Sequence, residues 1–201
     1  ENFQFRFHKQ LEYIRKILKT GKIGDLRNIK SSFGFPPFGD RENIRYKNEL
    51  GGGALLDAGA YPIKISQIFL GDDISVMASS LSFDKDKGVD IWGSAYLKQN
   101  NGCLSSEISF GFDNYYQCNL ELWGSKGKLY TNRIFTAHSE HKPIVEIQTI
   151  DGLEIIELDT DNHFKNMLIH FYKLIFSKNM RDDEYKQNIT QARLISEFKN
   201  K

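Results

Sequence analysis

The stretch Gly51-Gly52-Gly53-Ala54-Leu55-Leu56-Asp57-Ala58-Gly59-Ala60-Tyr61-Pro62 decides the reading of this chain. Three consecutive glycines free the backbone from side-chain restriction, and an apolar helix-forming run follows at once. In a helix, Asp57 and Tyr61 stand at i and i+4 and share one face. A carboxylate and a phenol on one face, beside backbone without side chains, suit a pocket for proton transfer. A phenol with an ordinary pKa of about 10 relays a proton to a carbonyl or hydroxyl when a nearby cation lowers that value. A core tyrosine on an apolar helix shows the same spacing, and spacing alone favours that plainer explanation. Asp57 stands near a helix N-terminus, where the dipole alone favours a carboxylate; its functional alternative is to orient Tyr61 or accept a sugar hydroxyl. The glycines, Gly53 among them, let a flat ligand approach the backbone, or they form a flexible turn.

Working outward, the helix runs from Ala54 to Leu70, closed by Gly71, and Pro62 removes one hydrogen bond and predicts a kink after Tyr61. Upstream, Phe38 to Leu50 is a polar loop whose Arg41, Arg45 and Lys47 either meet phosphate or sugar oxygens or are simply solvated. Leu26 to Phe35 reads as a strand ended by Pro36-Pro37. Phe7, Leu11, Ile14 and Leu18 recur at helical spacing and stop at Gly21, preceded by an aromatic, strand-like start. Downstream, Ile74 to about Leu158 is a series of strand-length segments divided by turns, with Asn101-Gly102 the strongest hairpin signal. Leu104, Ile108 and Phe110 alternate with Ser105, Glu107 and Ser109, and Cys118, Leu120 and Leu122 with Gln117, Asn119 and Glu121. This is an antiparallel meander with one buried face; Trp92, Tyr96, Tyr115 and Trp123 fall on the other and suggest a partner surface. Two helices close the chain. One is expected to bury Phe164, Met167, Leu168, Phe171, Leu174 and Ile175, the other Tyr185, Ile189, Ala192, Ile195 and Phe198. The fold class is α+β, an open, predominantly antiparallel sheet with helices packed on one face.

Composition narrows the function classes. The 201 residues are 40% hydrophobic and carry a net charge of +1, enough for a core and too balanced to attract nucleic acid. Two cysteines make no disulfide framework and suggest a reducing, cytoplasmic setting. No run of about 18 apolar residues marks a membrane span. The start, from Glu1, has neither a signal-peptide profile nor an initiator Met, and reads as a chain cut from something longer. His138 and His141 are too few for a metal site, and no metal is expected. Gly124-Ser125-Lys126-Gly127-Lys128 is phosphate-like by composition but reads as a hairpin turn.

These residues resemble a known family. The GGGALLDAGAYP stretch is similar to the Gly-Gly-x-Leu-x-Asp-x-Gly-x-Tyr/His motif of the glucose–fructose oxidoreductase / inositol dehydrogenase (Gfo/Idh/MocA) family. FRFHKQLEYIRKILKTGKIGDLRNIKSSFGF resembles its domain-joining segment, ENIRYKNELGGG its Asn-Ile/Trp-Arg run, and LWGSKGKLYTNRIF its later Gly-Ser/Thr-x-Gly turn. Together these motifs cover the chain, but only as the family's C-terminal domain, and look closest to NDP-hexose 3-ketoreductases. The resemblance implies one domain over 1–201: joining strand end and helix over 1–25, strand, loop and motif helix over 26–71, sheet over 72–160, and helices over 161–201.

It further implies Tyr61 as acid–base residue, Asp57 as its partner carboxylate, and Arg45, Gly53, Arg6 and His8 as substrate contacts. Family members bind NAD or NADP in an N-terminal Rossmann domain and associate as homo-oligomers through the sheet. No Gly-x-Gly-x-x-Gly and no Glu-Lys-Pro occurs here, so the Rossmann domain and its lysine are absent, and cofactor binding and activity are not expected of this stretch alone. The reading is the substrate-binding and oligomerising half of an NAD(P)-dependent oxidoreductase acting on a sugar or nucleotide-sugar. A non-catalytic sugar- or protein-binding module is the alternative. A hydrolase or lyase lacks a second carboxylate at convincing spacing.

Overall fold

The structure, a computed structural model, describes residues 3–40 and 42–201 of the chain. Arg41, one of the loop cations expected to meet a ligand, lies outside them. The elements are α1 (Lys9–Lys19), β1 (Leu26–Gly34), α2 (Ala60–Leu70), β2 (Ile74–Phe83), β3 (Asp90–Gln99), β4 (Ser105–Gly111), β5 (Gln117–Gly124), β6 (Gly127–Asn132), β7 (Ile144–Thr149), β8 (Gly152–Glu157), α3 (His163–Phe176) and α4 (Lys178–Lys199). Among the described residues eight strands form one open sheet, in the order β2-β3-β4-β1-β5-β6-β7-β8. The neighbours β2/β3, β3/β4, β5/β6, β6/β7 and β7/β8 pair antiparallel. No helix among the described residues is long and apolar enough to cross a membrane.

The chain divides into two compact units. The first comprises Glu1–Asn28 and Asn119–Thr190. In it Leu11, Ile14 and Ile17 of α1 are buried at a spacing of three, which puts them on one helix face. Leu120 and Leu122 of β5, Leu129 of β6, and Val145 and Ile147 of β7 complete this core at alternate strand positions. The buried amide of Gln10 donates to Thr131 Oγ1 at 2.6 Å and to the Asn132 carbonyl at 3.0 Å. Thr20 caps α1, and Gly21 follows at φ 68°, the left-handed conformation that glycine adopts without strain.

The second unit comprises Ile29–Cys118 and Gln191–Lys201. Here α2 lies against β4, where Ser66 and Ser106 hydroxyls meet at 2.7 Å inside the core. Ile63, Val76, Leu97, Ile108, Phe110 and Phe112 are buried, and the Phe110 ring meets Phe198 of α4 at 5.5 Å. Arg193 donates to the Ile74 carbonyl, and Gln191 to the Ala60 carbonyl, both at 2.8 Å. Each large side chain so buried contributes about 1.5–3 kcal/mol.

Three expectations need correction. Gln4–Phe7 is a 3-10 turn rather than a strand end, because Arg6 and His8 donate to the Phe3 and Phe5 carbonyls while Phe5 packs edge-on against Phe135. The irregularity near Pro62 lies earlier than expected: Leu55–Gly59 is a turn of π-helix preceding Tyr61, and regular helix continues through Pro62 to Leu70. Of the residues assigned to the closing helices as buried, Phe198 alone is fully buried. Of α3 only His163 is buried, whereas Phe164, Leu168, Phe171 and Ile175 are exposed. In α4 Tyr185 and Ile189 are exposed, Ala192 is exposed, and the buried line is Thr190, Gln191, Leu194 and Phe198. Trp92, Tyr96, Tyr115 and Trp123 are exposed, as the alternation suggested.

Candidate active site

The three glycines have separate local causes. Gly51 lies at φ 75° and ends a short 3-10 turn over Asn48–Leu50. The Gly52 and Gly53 N–H groups donate to the Lys47 and Arg45 carbonyls, each at 2.9 Å. A Cβ at Gly52 would come within 2.6 Å of the Arg45 carbonyl oxygen, so the loop could not close this tightly with a side chain there. Gly53 has φ 116°, and a Cβ there would overlap Asp90 Oδ1. The triplet thus draws the loop carrying Arg45 against the start of the helix carrying Asp57. The space over Gly53, where a ligand was expected to approach, is filled by the Asp90 carboxylate.

Asp90, at the start of β3, is the residue that sequence reasoning missed. Its Oδ2 accepts the Leu55 N–H at 2.5 Å, and the Ala54 N–H adds a further bond. The first N–H groups of a helix have no partner within it, so this carboxylate caps the motif helix from a neighbouring strand. Burial pushes the Asp90 carboxyl above its usual range, and the N–H donors of Leu55, Asp90 itself and Ala54 offset only part of that rise.

From that cap the chain passes through the π-turn. Gly59 is required there, since a Cβ would sit 2.9 Å from the Phe110 ring. Asp57 lies in the middle of this widened turn and Tyr61 two residues beyond its end, at the start of the regular helix. Asp57 Oδ2 accepts from Arg45 Nε at 2.7 Å, with both side chains about one-third exposed. The Arg45 guanidinium also lies over the Phe38 ring, 4.7 Å from its centre, and its backbone N–H is held by Asn43 Oδ1 at 3.1 Å. Tyr61 is half-buried, its ring edge-on to Phe33 at 5.2 Å. A carboxylate, a guanidinium and a phenol are therefore presented from one loop–helix junction, with Phe33 and Phe38 as apolar floor. Lys47 turns instead to Glu42, 3.9 Å away. Fixed cation, fixed anion and half-exposed phenol can grip a polyhydroxylated ligand and move a hydroxyl proton.

Arg6 and His8 belong to the other unit and are engaged there. Arg6 grips both oxygens of Glu184, at 2.6 and 2.9 Å, and Glu184 also meets His170 Nε2 at 3.2 Å. Burial raises the Glu184 carboxyl, but bonding and charge from Arg6 outweigh it and hold the group below its usual range. His8 is buried and caps α1, its Nδ1 accepting the Gln10 N–H at 3.1 Å. The Ser125-Lys126 turn, the one phosphate-like sequence, joins β5 to β6, and its N–H groups are spent on the Asp25 and Ile23 carbonyls at 2.9 Å. Among the described residues no cluster of three or more His, Cys, Asp or Glu can hold a metal.

A profile of the GFO/IDH/MocA C-terminal domain matches residues 11–130. This chain belongs to the GFO/IDH/MocA family. It is 33% identical over 195 residues to dTDP-3,4-didehydro-2,6-dideoxy-alpha-D-glucose 3-reductase of Actinomadura kijaniata, covering 97% of this chain and 58% of that protein. Its identity to the reductase of the same name from Streptomyces antibioticus is 35% over 171 residues, 85% of this chain and 52% of that one. Among solved structures, the A. kijaniata 3-ketoreductase KijD10 in complex with NADP and TDP-benzene superimposes with a TM-score of 0.86 at 33% identity, over 93% of this chain and 58% of that chain. The GFO/IDH/MocA chain described here thus spans little more than half the length of the relatives it matches.

Proposed function

We infer that this chain is the substrate-binding part of an NADP- or NAD-dependent oxidoreductase that acts at a keto or hydroxyl carbon of a nucleotide-linked sugar. The observation that carries the reading is the Arg45–Asp57 ion pair at the turn leading to Tyr61, in a chain one-third identical to dTDP-sugar 3-ketoreductases. In this reading the Tyr61 hydroxyl delivers the proton to the substrate oxygen, or removes it in the reverse direction. Asp57 fixes Arg45, and the remaining N–H groups of Arg45 grip the ligand; Phe33 and Phe38 exclude water from beside the phenol. A bound nicotinamide would supply or accept the hydride. In this reading the nucleotide is held by a Rossmann-type domain of the native protein outside this stretch, and this stretch alone is inactive. The exposed aromatic residues Trp92, Tyr96 and Trp123 support the sheet as a face for homo-oligomer formation.

The test is NADPH oxidation with a dTDP-linked 3-keto-sugar, using the native gene product and its Tyr61→Phe variant. The expected result is turnover by the native enzyme and a large fall in kcat with little change in KM for the variant. A gene product with no upstream nucleotide domain, or an unchanged kcat in the variant, overturns the reading in favour of a binding module.

A further inference from the structure

The motif helix does not begin as an ordinary helix. Leu55–Gly59 is a turn of π-helix, a rare conformation that frequently stands at functional sites. Pro62 supplies a local reason for it. Pro62 has no N–H to give the Ala58 carbonyl, and in regular helix its ring would crowd that carbonyl. A widened turn relieves the clash, but local sequence alone does not fix its register. Relaxation to ordinary helix would shift the chain by one residue. Tyr61 would then rotate by about 100° around the axis, away from the loop that carries Arg45.

Groups from outside the motif hold this turn. At its start the Asp90 carboxylate of β3 accepts the Leu55 N–H at 2.5 Å. At Gly59 the Phe110 ring leaves no room for a Cβ, and Phe198 of α4 backs that ring. Just past its end the buried Gln191 of α4 donates from Nε2 to the Ala60 carbonyl at 2.8 Å, one residue before Tyr61. That carbonyl lies in regular helix, where the N–H four residues on is its ordinary partner, so the helix does not need this second donor. Gln191 is buried there at a cost, since its Oε1 has no hydrogen-bond partner among the described residues. What the bond adds is a fixed position for the backbone next to Tyr61.

We propose that Asp90 and Gln191 are positioning residues for proton transfer by Tyr61, clamping the π-turn from β3 at one end and from α4 at the other. This rests on the functional reading above. Neither residue touches the ligand; each acts through the backbone of the motif helix. A displacement of about 1 Å at a reacting atom can cost on the order of 100-fold in rate. The loop that sets Arg45 lies outside the turn, so a loosened turn lowers turnover more than it lowers ligand binding.

The experiment is steady-state NADPH oxidation by the native gene product with a dTDP-linked 3-keto-sugar. It compares Gln191→Leu, Asp90→Ala, Asp90→Asn and Tyr61→Phe, and combines Gln191→Leu and Asp90→Ala each with Tyr61→Phe. Gln191→Leu and Asp90→Ala are expected to lower kcat about tenfold or more while KM stays within about threefold. Asp90→Asn, which keeps an acceptor oxygen, should restore most of the lost kcat. Each double variant should be no slower than Tyr61→Phe alone, because both changes remove the same proton transfer. A purely structural role would instead make the two losses multiply. Where Gln191→Leu does not fold, the Asp90 variants decide. Native kcat in Gln191→Leu and Asp90→Ala, or multiplied losses in the double variants, beside a Tyr61→Phe that has lost turnover, overturns this proposal and leaves the functional reading standing. Native turnover in Tyr61→Phe, or none in the native protein, sinks both.

Discussion

The Asp90 carboxylate accepts the Leu55 N–H at 2.5 Å and fills the space over Gly53, so a residue of β3 sets where the helix bearing Asp57 and Tyr61 begins. The link joins a strand to a helix start 35 positions earlier in sequence. The position of the candidate acid–base residue thus depends on a group outside its motif.

Removing that group has a defined cost. Asp90→Ala leaves the Leu55 N–H without its acceptor inside the protein, and is expected to lower stability by about 1–3 kcal/mol in urea denaturation. Asp90→Asn keeps an acceptor oxygen and should cost less. The two variants also differ with pH. The folded-state pKa of Asp90 is raised, so its contribution is fully present below the unfolded value and is lost as pH rises through the folded value. Asp90→Asn should lack that loss; an Asn variant as unstable as the Ala variant would show that the cap is not what Asp90 supplies.

For Arg45 and Asp57 the prediction runs the other way. Their pair is about one-third exposed, and such pairs are worth about 0–1 kcal/mol to stability. Asp57→Asn and Arg45→Gln should therefore melt within a few degrees of the native protein. In the full-length enzyme they should lower kcat/KM by an order of magnitude or more, because a freed guanidinium no longer holds the ligand beside Tyr61. A double-mutant cycle measures whether the two losses are shared. Two variants with native kcat/KM would remove the pair from the site.

These contrasts show what the sequence made legible. The glycine triplet and the spacing of Asp57 and Tyr61 are local, and they mark the loop–helix junction at which Arg45 pairs with Asp57. Arg45 was visible through the family's Asn-x-Arg run, twelve positions from the carboxylate it pairs with. Asp90 was not, because nothing near Val89-Asp90 signals that a distant helix start needs an acceptor. The glycines suggested space for a ligand, yet Gly53 makes room for the protein's own carboxylate. In the closing helices, periodicity gave the apolar stripe of α3 correctly but could not say what covers it. Burial was inferred from the assumption that this chain covers itself, and the exposed Phe171 and Ile175 show that it does not.

The last prediction concerns acid. His8 and His163 are both buried, with ring centres 5.6 Å apart, and among the described residues His8 Nε2 and His163 Nδ1 have no hydrogen-bond partner. Burial pushes the His163 pKa down to about 4, with the neighbouring His8 adding to the fall and Asp161 opposing it. Burial likewise lowers His8, against the pull of Asp161. Both rings are thus held neutral in the fold while each charges near its ordinary value in the unfolded chain. Their contribution to stability is present above about 6.5 and is lost as pH falls toward about 4. His163→Phe keeps an aromatic ring against His8 but has no proton to take up. Its acid-unfolding midpoint, followed by circular dichroism from pH 7 downward, should lie below that of the native protein. An unchanged midpoint would mean that the acid transition is set by groups other than this pair.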